Sequence, residues 1–210
     1  MSVWRICFYL LLVIGVIAAG IALRAVTSHQ APNKNNIAAV TQKSQSTGKP
    51  SIGGAYTLVN QNGHVVSDKS YRGKYVLIFF GYTFCPDVCP TTLTTLSTAI
   101  DLLGKNSEKI KPLFVTIDPL RDTPRYLKEY LAHFHKNFDG LTGNTQQIKH
   151  IKKVFRIYAT KAKVDKSDRE DYLMNHSSVS YLIGPDGKFL TFFSHGTEAK
   201  VIANKLKEFL

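Results

Sequence analysis

The segment Tyr75-Val-Leu-Ile-Phe-Phe-Gly-Tyr-Thr-Phe-Cys85-Pro-Asp-Val-Cys89-Pro90 decides the fold of this chain. Its first six residues are a continuous apolar run, which is typical of a central strand buried on both faces. Apolar residues at every third or fourth position then predict a helix from Thr91 to Leu103. The two cysteines therefore lie where a buried strand ends and a helix begins. Open α/β sheets collect their reactive groups at this place.

Strand and helix patterns alternate along the rest of the sequence and end with a hairpin and a helix. The predicted elements are a hairpin over Tyr56–Val66 with a type I′ turn at Asn62-Gly63, a buried strand over Leu113–Ile117, a helix from Asp122 to Phe134 capped by Asp122 or Thr123 with Pro124 in its first turn, a helix from Asn144 to Phe155, a hairpin of Val179–Ile183 with Phe189–Phe193, and a helix from Thr197 to Leu210. This order predicts an α/β domain with a central mixed sheet flanked by helices, as in a thioredoxin-like fold.

The N-terminal region differs in composition from the rest. Residues Ile6–Leu23 carry no charge and, at about 1.5 Å per residue, make a helix that matches the hydrocarbon core of a bilayer. A cleaved signal peptide stays open as an alternative, although its apolar core is usually about 7–15 residues long. We therefore expect a membrane anchor at residues 1–24, a flexible linker rich in Thr, Ser, Gln and Asn at residues 25–54, and one domain at residues 55–210.

Composition excludes several classes of protein. Apolar residues make up 44% and charged residues 20% of the 210, which are globular values, and three cysteines are too few for a disulfide scaffold. The net charge is +12, but no aromatic–basic stripe or recognition helix accompanies it, so we predict no nucleic-acid binding. Surface lysine, or docking of an acidic partner, explains the charge equally well.

Cys85 and Cys89 are the main chemical candidates. With three residues between them they share one face if the segment is helical, and the N-terminus of the following helix favours thiolate over thiol. Such a pair serves either in dithiol–disulfide exchange, which typically uses two intervening residues, or in binding a soft metal; buried thiols or an inert disulfide are the structural alternative. His176, in a polar turn before a predicted strand, is the candidate third ligand. The other six histidines are interpreted as surface residues: His29, His64, His133, His135, His150 and His195.

Three motifs resemble those of the Sco/SenC family of copper-binding assembly factors. They are Gly81–Pro90, Val115–Pro124, and Asp171–His176 followed by Tyr181–Gly187. The resemblance implies a membrane-tethered, thioredoxin-like domain that matures the dinuclear copper centre of cytochrome c oxidase. It carries the copper ligands over onto Cys85, Cys89 and His176, with Cu(I) as the ion and Cu(II) left open.

The same motifs contain residues whose role is less specific. Asp87 and Asp118 are expected near the site, as groups that support the ligands or dock a partner, or simply as turn and cap carboxylates. Arg121 and Asp122 are expected to fix a loop rather than bind metal. The residue before the histidine is Asn175, where the family often has an acidic residue. This departure affects the tuning or docking at that position and leaves the histidine in place.

The resemblance also implies partners and a compartment. We expect a metallochaperone rather than an enzyme, working with the copper-bearing oxidase subunit, a copper donor protein and a thioredoxin-like reductase. The short stretch before Ile6 favours a bacterial inner membrane with the domain in the periplasm, and the intermembrane-space side of the mitochondrial inner membrane is the alternative. Two other functions stay open: a membrane-tethered thiol–disulfide oxidoreductase acting on the oxidase subunit's cysteines, and a thiol peroxidase, which Thr83-Phe-Cys85-Pro86 faintly resembles.

Overall fold

The structure, a computed structural model, describes residues 52–162 and 172–210. Within these residues there are nine strands and four α-helices, besides short 3₁₀ helices at Asp68–Tyr71 and Gly104–Lys109. The strands are β1 (Thr57–Asn60), β2 (Val65–Ser67), β3 (Tyr75–Gly81), β4 (Ile110–Thr116), β5 (Asp139–Thr142), β6 (Ala159–Lys161), β7 (Met174–His176), β8 (Val179–Ile183) and β9 (Phe189–Ser194). The helices are α1 (Val88–Asp101), α2 (Pro124–Leu131), α3 (Thr145–Val154) and α4 (Ala199–Lys207).

Seven of the strands form one mixed sheet in the order β2-β1-β5-β4-β3-β8-β9. Strands β3, β4 and β5 are parallel to one another, and the remaining neighbours are antiparallel. Strands β6 and β7 make a separate two-stranded sheet. The strand predicted to be central, β3, is an interior strand between β4 and β8, and the predicted mixed sheet is confirmed.

Helices cover both faces of the sheet, as predicted. Side chains alternate between the faces along β3, so Phe79 and Phe80 point in opposite directions. Phe79 packs against Phe114, which in turn contacts Tyr130 of α2, whereas Phe80 packs against Phe155 at the end of α3. Helices α1 and α4 pack against each other. The core is therefore closed by α3 on one side and by the other helices on the opposite side.

The register of the strands brings three chain segments to one edge of the sheet. Gly81 at the end of β3 lies beside Thr116 at the end of β4. Strand β8 runs antiparallel to β3 and pairs Ser180 with Phe79, so β8 begins where β3 ends. Because of this arrangement, the loop after β3, the loop after β4 and the residues before β8 meet.

The predicted elements are present, but several of their bounds differ: β4 begins at Ile110 rather than Leu113, and α2 and α4 end at Leu131 and Lys207 rather than at Phe134 and Leu210. Thr123 caps α2 by accepting a hydrogen bond from the Tyr126 backbone N–H, and Asn144 caps α3 in a reciprocal capping box. Helix α1 begins at Val88 rather than Thr91, which places Cys89 in its first turn. The first hairpin does not have a two-residue type I′ turn: the loop runs from Gln61 to His64, and of Asn62 and Gly63 only the glycine has a positive φ.

The predicted membrane anchor, residues 1–24, lies outside the described residues, as does most of the predicted linker at 25–54. Among residues 52–162 and 172–210, no helix combines the length and the apolar character that crossing a bilayer requires. The anchor and the linker therefore stay predictions.

Candidate metal centre

Cys85, Cys89 and His176 come together at the edge of the sheet where β3 ends. Their two sulfurs and one imidazole nitrogen all lie within 4.8 Å of one another. The Cys89 Sγ lies 3.6 Å from the His176 Nε2. Within residues 52–162 and 172–210, this is the one group of three or more such side chains close enough to hold a metal ion. The predicted ligand set thus has the proximity that metal binding requires, and its role as a ligand set stays a prediction.

The cysteine loop gives its two sulfurs different protonation states. The Cys89 thiol hydrogen-bonds the Cys85 sulfur, and this bond lowers the pKa of Cys85 to about 3 against the opposing effect of burial. The backbone N–H of Cys89 also points at that sulfur, 3.4 Å away, because it belongs to the unpaired first turn of α1. The same thiol hydrogen bond, together with burial, raises the pKa of Cys89. Without a metal the pair is therefore one thiolate and one thiol.

Gly81 makes the position of the inner sulfur possible. A Cβ at residue 81 would lie 2.7 Å from the Cys89 Sγ and 2.9 Å from the Phe114 ring. Both distances are well inside van der Waals contact, so the Cys89 sulfur fills the space that a side chain at position 81 would need. Cys89 is fully buried there, whereas Cys85 is half-buried.

His176 presents a defined ring nitrogen to the cysteines. Its Nδ1 lies 3.0 Å from the Ser177 carbonyl oxygen, and since a carbonyl only accepts, Nδ1 carries the proton. The lone pair of the neutral ring then lies on Nε2, which faces Cys89. Tyr82 packs edge-on against the ring, and its hydroxyl accepts a hydrogen bond from the Met174 N–H in the same strand. His176 was expected in a polar turn, but it ends the short strand β7, paired with Ala159 of β6.

Asp122 supports the cysteine loop, in line with the expectation that it fixes a loop; the sequence also offered it as a helix cap. Its carboxylate is fully buried and accepts hydrogen bonds from the Thr83 N–H, the Thr83 hydroxyl and the Thr116 hydroxyl. Burial raises the pKa of Asp122, and these hydrogen bonds oppose the shift. Asp122 thereby ties the segment just before Cys85 to the end of β4. The available signal was a carboxylate six residues after a strand-terminal threonine.

Arg121 links the two segments that bear the ligands. Its guanidinium carbon lies 4.5 Å from the centroid of the Phe84 ring, next to Cys85, and 3.7 Å from the centroid of the Tyr172 ring, shortly before β7. Its Nε donates to the Asp118 carboxylate at 2.6 Å, and the same carboxylate accepts from the Tyr172 hydroxyl at 2.7 Å. The sequence interpretation assigned Arg121 to fixing a loop. The aromatic partners on both sides could not be identified without the tertiary structure.

The two predicted acidic residues differ in their surroundings. Asp118 is only 3% exposed and holds Arg121 and Tyr172. Asp87 is exposed at the N-terminus of α1, where it accepts a hydrogen bond from the Thr91 hydroxyl at 3.3 Å, and its backbone N–H helps to lower the pKa of Cys85. Neither carboxylate belongs to the cluster of potential ligands. Support of the ligands or docking by these two residues stays a prediction.

The other described histidines lie outside the cluster. His64 and His133 are exposed, His150 donates from Nε2 to the Ala55 carbonyl, and His195 hydrogen-bonds the Thr92 hydroxyl at 3.0 Å. The interpretation as a surface histidine is wrong for His135, whose side chain is 10% exposed and lies 3.5 Å from the Asp101 carboxylate. His29 lies outside the described residues.

The donor set defines what this site can do. Two sulfurs and one neutral imidazole nitrogen suit a soft ion such as Cu(I), which accepts fewer ligands than the four that structural zinc takes. Among the described residues, no fourth Cys, His, Asp or Glu side chain joins the cluster. The two free cysteines also allow a disulfide to form between them, at the expense of the metal site. A thioredoxin-like domain with a thiolate, a thiol and an imidazole at its sheet edge is thus a metal-binding or thiol-exchange domain.

Comparison with known proteins identifies the family. The SCO1/SenC family model matches residues 44–210, and the chain belongs to this family. It is 44% identical over 156 residues to an SCO2-like protein of Rickettsia felis, covering 74% of this chain and 76% of that protein.

Solved structures show the same fold. The structure of Bradyrhizobium japonicum ScoI with copper bound matches with a TM-score of 0.70 and 42% identity, covering 76% of this chain and 99% of that one. BsSco, described as a member of the Sco family of cytochrome c oxidase assembly proteins with a disulfide switch, matches with a TM-score of 0.59 and 28% identity, covering 76% of this chain and 94% of that one. Sco proteins thus include one with copper bound and one described as having a disulfide switch.

Proposed function

We propose that this protein is a membrane-tethered copper chaperone that binds one copper ion through Cys85, Cys89 and His176 and assists assembly of the dinuclear copper centre of cytochrome c oxidase. The observation that carries the proposal is the approach of two sulfurs and one imidazole nitrogen to within 4.8 Å. The family, the copper-bound ScoI structure and the role stated for BsSco support it. Copper is the cargo of such a protein rather than its resident cofactor.

Each ligand contributes differently to capture of the ion. Cys85 offers a thiolate without losing a proton, since its pKa is about 3. Cys89 holds its proton in the metal-free protein, so binding through its sulfur must release that proton. His176 offers Nε2 because its other nitrogen donates to Ser177. Binding through the Cys89 sulfur therefore releases one proton per copper ion.

Burial sets the order in which an acceptor can replace the ligands. Cys89 is fully buried, whereas Cys85 and His176 are half-buried at the open edge. An incoming thiolate or imidazole from the oxidase subunit reaches the outer ligands first. We expect transfer to proceed by ligand exchange at Cys85 or His176 before the Cys89 sulfur dissociates from the copper ion.

Anaerobic titration with Cu(I) and X-ray absorption of the product test the proposal. We expect one copper per chain with two sulfurs and one nitrogen as neighbours, and loss of the nitrogen in His176→Ala. His64→Ala is the matched control, since His64 is exposed and outside the cluster. Copper binding that is weak in the wild type, or unchanged in His176→Ala, would contradict the proposal.

A thiol–disulfide oxidoreductase acting on the oxidase subunit's cysteines is the second candidate. It is favoured by the low pKa of Cys85, because an accessible thiolate beside a second thiol is the arrangement that exchange requires. Reduction of a substrate disulfide would leave Cys85 and Cys89 joined, with two electrons passed to the substrate. Replacing His176 with Ala discriminates the two functions: exchange should survive the change, and copper binding should not.

The compartment belongs to the same proposal. We infer that Ile6–Leu23 anchors the chain in a bacterial inner membrane with the domain in the periplasm, and that a thioredoxin-like reductase keeps Cys85 and Cys89 reduced there. Protease added to intact spheroplasts should then remove the domain. Deleting the reductase should convert the free thiols to a disulfide, as read by gel shift after alkylation; thiols that stay reduced would argue against this partner.

A further inference from the structure

A long stretch of the sequence after β5 is basic without any compensating acid. Between Asp139 and Asp165 there are six Lys or Arg residues and no Asp or Glu. Elsewhere in the domain acidic and basic residues alternate more evenly. Helix α3 lies in this stretch and carries three of the six basic residues. These three positive charges therefore lie together on one helix rather than being spread over the molecule.

The basic residues of α3 form one stripe. Ile148 and Ile151 are buried against the sheet, and Lys149, Lys152 and Lys153 stand three and four positions apart on the outer side. Lys152 is half-buried and its ammonium reaches the Ala159 carbonyl, whereas Lys149 and Lys153 are exposed.

The stripe continues just past the end of the helix. Arg156 is exposed and turns the chain with a φ of 55°, and Tyr158, two residues later, is 63% exposed. We call Lys149, Lys153, Arg156 and Tyr158 the α3 face.

The α3 face has no partner within the part of the chain that the structure describes. Among those residues, neither Lys149, Lys153 nor Arg156 forms an ion pair. By comparison, Lys205 of α4 pairs with Glu208 and Lys188 pairs with Asp186. Three uncompensated cations beside an exposed tyrosine form the combination that binds the headgroup region of an anionic bilayer.

The chain that leads to the predicted anchor lies along the same helix. The Gly53 N–H donates to the Val154 carbonyl at 2.9 Å, and the Ala55 carbonyl accepts from the His150 ring at 2.9 Å. The 28 residues from 24 to 51 separate this point from the predicted membrane span. For the flexible linker that the sequence predicts, 28 residues have an average end-to-end distance of about 30 Å, so the α3 face stays within reach of the membrane surface.

We propose that the α3 face docks the domain onto anionic phospholipid headgroups of the membrane that anchors it. This inference rests on the tether of the proposed function and adds a fixed orientation to it. Phe80 faces α3 while Phe79 faces the cysteine side, so α3 and α1 lie on opposite faces of the sheet. Docking through α3 therefore leaves α1, where Cys89 lies, on the face away from the lipid, whereas Tyr158, whose backbone hydrogen-bonds Ser177 beside His176, brings the β6–β7 edge toward it.

Lysine footprinting of the full chain in nanodiscs tests this docking. The chain is placed in nanodiscs of phosphatidylcholine alone or with added phosphatidylglycerol, and acetylation of each lysine is followed by mass spectrometry. We expect Lys149 and Lys153 to react several-fold more slowly on the anionic discs, while Lys200 and Lys207 of α4, also exposed, keep their rates. High salt, where the Debye length falls to about 3 Å, should remove the protection.

Two charge-removing variants test the docking by changing residues other than the lysines whose acetylation is measured on the α3 face. Near an anionic membrane each basic group contributes a factor of about five to binding, so Arg156→Gln should reduce the docked population about fivefold and partly restore acetylation of Lys149. Lys207→Gln removes the same charge on the opposite face and should change nothing. Circular dichroism of both variants checks that the fold is intact.

The result on the two kinds of nanodisc distinguishes docking through the α3 face from the membrane anchor. Equal acetylation on both kinds of disc, or protection of the α4 lysines instead, overturns the docking and leaves the tether intact. A chain that stays with anionic discs but elutes free from neutral ones supports docking and overturns the anchor. A chain that stays with neither kind of disc overturns both.

Discussion

The two segments that bear the candidate ligands are built in opposite ways. The cysteine loop grows out of the central strand β3, its sulfur at Cys89 is part of the core, and Asp122 binds it to β4. His176 lies at the end of a three-residue strand whose only partner among the described strands is the equally short β6. The difference shows that one part of the site is fixed by the fold and the other is held by a few contacts. A protein that must both hold and release an ion benefits from this division.

The largest expected effect concerns the low pKa of the Cys85 thiol in the cysteine loop. Wild-type Cys85 has a pKa of about 3, so its thiolate is present at every pH above that value and is lost only as the pH falls through it. Its alkylation rate should therefore be flat from about pH 5 to 8, whereas an ordinary thiol with a pKa of about 8.5 gains tenfold per unit over that range.

Cys89→Ala removes the main hydrogen bond that lowers this pKa. We expect Cys85 in this variant to follow the ordinary profile, a range of about a thousandfold over three pH units. Stopped-flow alkylation, with Thr91→Ala as a control on the same helix, measures it. A flat profile in Cys89→Ala would mean that the backbone N–H groups alone hold the thiolate.

Gly81→Ala should distort the part of the site that the fold fixes, the cysteine loop. Its Cβ would meet the Cys89 sulfur and Phe114 at under 3.0 Å, so the core must shift, and overpacking of this kind costs about 1–3 kcal/mol of unfolding free energy. Copper affinity should fall as well, since the displaced sulfur is one of the proposed ligands. Urea denaturation and a competitive Cu(I) titration give the two values.

The matched control for Gly81 is Gly63→Ala. Gly63 has a positive φ and open space around its Cα, so the change strains the backbone at the hairpin without touching the site. We expect reduced stability with unchanged copper affinity. Equal losses of affinity in both variants would show that Gly81 acts only through global stability.

Arg121→Met should loosen the part of the site that is held by a few contacts, the segment that carries His176. It keeps an apolar contact with Phe84 and Tyr172 but removes the cation and the bond to Asp118. Groups that orient metal ligands in this way typically change affinity by about 10–100-fold, and we expect the lower end because no ligand is bonded directly. Arg125→Met, at an exposed site over Tyr126, should leave the copper Kd unchanged.

The readout for Arg121→Met includes the histidine itself. Nitrogen coordination should weaken in the X-ray absorption spectrum while both sulfurs remain, because Tyr172 leads into the strand that carries His176. Loss of a sulfur instead would place the main effect of Arg121 on the cysteine loop.

The smallest expected effect is at Tyr130. Its hydroxyl is buried and, among the described residues, has no hydrogen-bond partner. Tyr130→Phe removes an unsatisfied polar atom while keeping the ring that packs on Phe114 and Phe134, so stability should stay equal or rise by up to about 1 kcal/mol. A calorimetric loss of stability would show that the hydroxyl makes a bond with water.

The sequence pattern was sufficient for the parts of the molecule that local physics determines. The apolar run of β3, the capping residues Thr123 and Asn144, and the cysteines at the strand–helix junction were all predictable. Strand β5 was missed because Asp139-Gly-Leu-Thr is too short and too polar to show a pattern, although it is an interior strand of the sheet, between β1 and β4. Strand β7 was interpreted as a turn for the same reason.

The contacts around the ligands were the least predictable. Arg121 bridges Phe84 and Tyr172, which are 37 residues before it and 51 after it, and only tertiary structure brings them to one place. His135 looked like a surface residue, yet its partner Asp101 comes from another helix. Side-chain pairing over such distances leaves no periodic trace in the sequence.

The hydrogen bond from His176 Nδ1 to the Ser177 carbonyl has a consequence for the speed of the proposed copper transfer. The ring is fastened to its own backbone, so it cannot swing away from the ion by rotating about its side-chain bonds while this bond persists. Release of the nitrogen then requires the peptide to move with it. Movement of the short strand β7 therefore becomes the rate-limiting step. The rate of hand-over is thereby set in the main chain, where an arriving partner that pairs with or displaces the strand can change it.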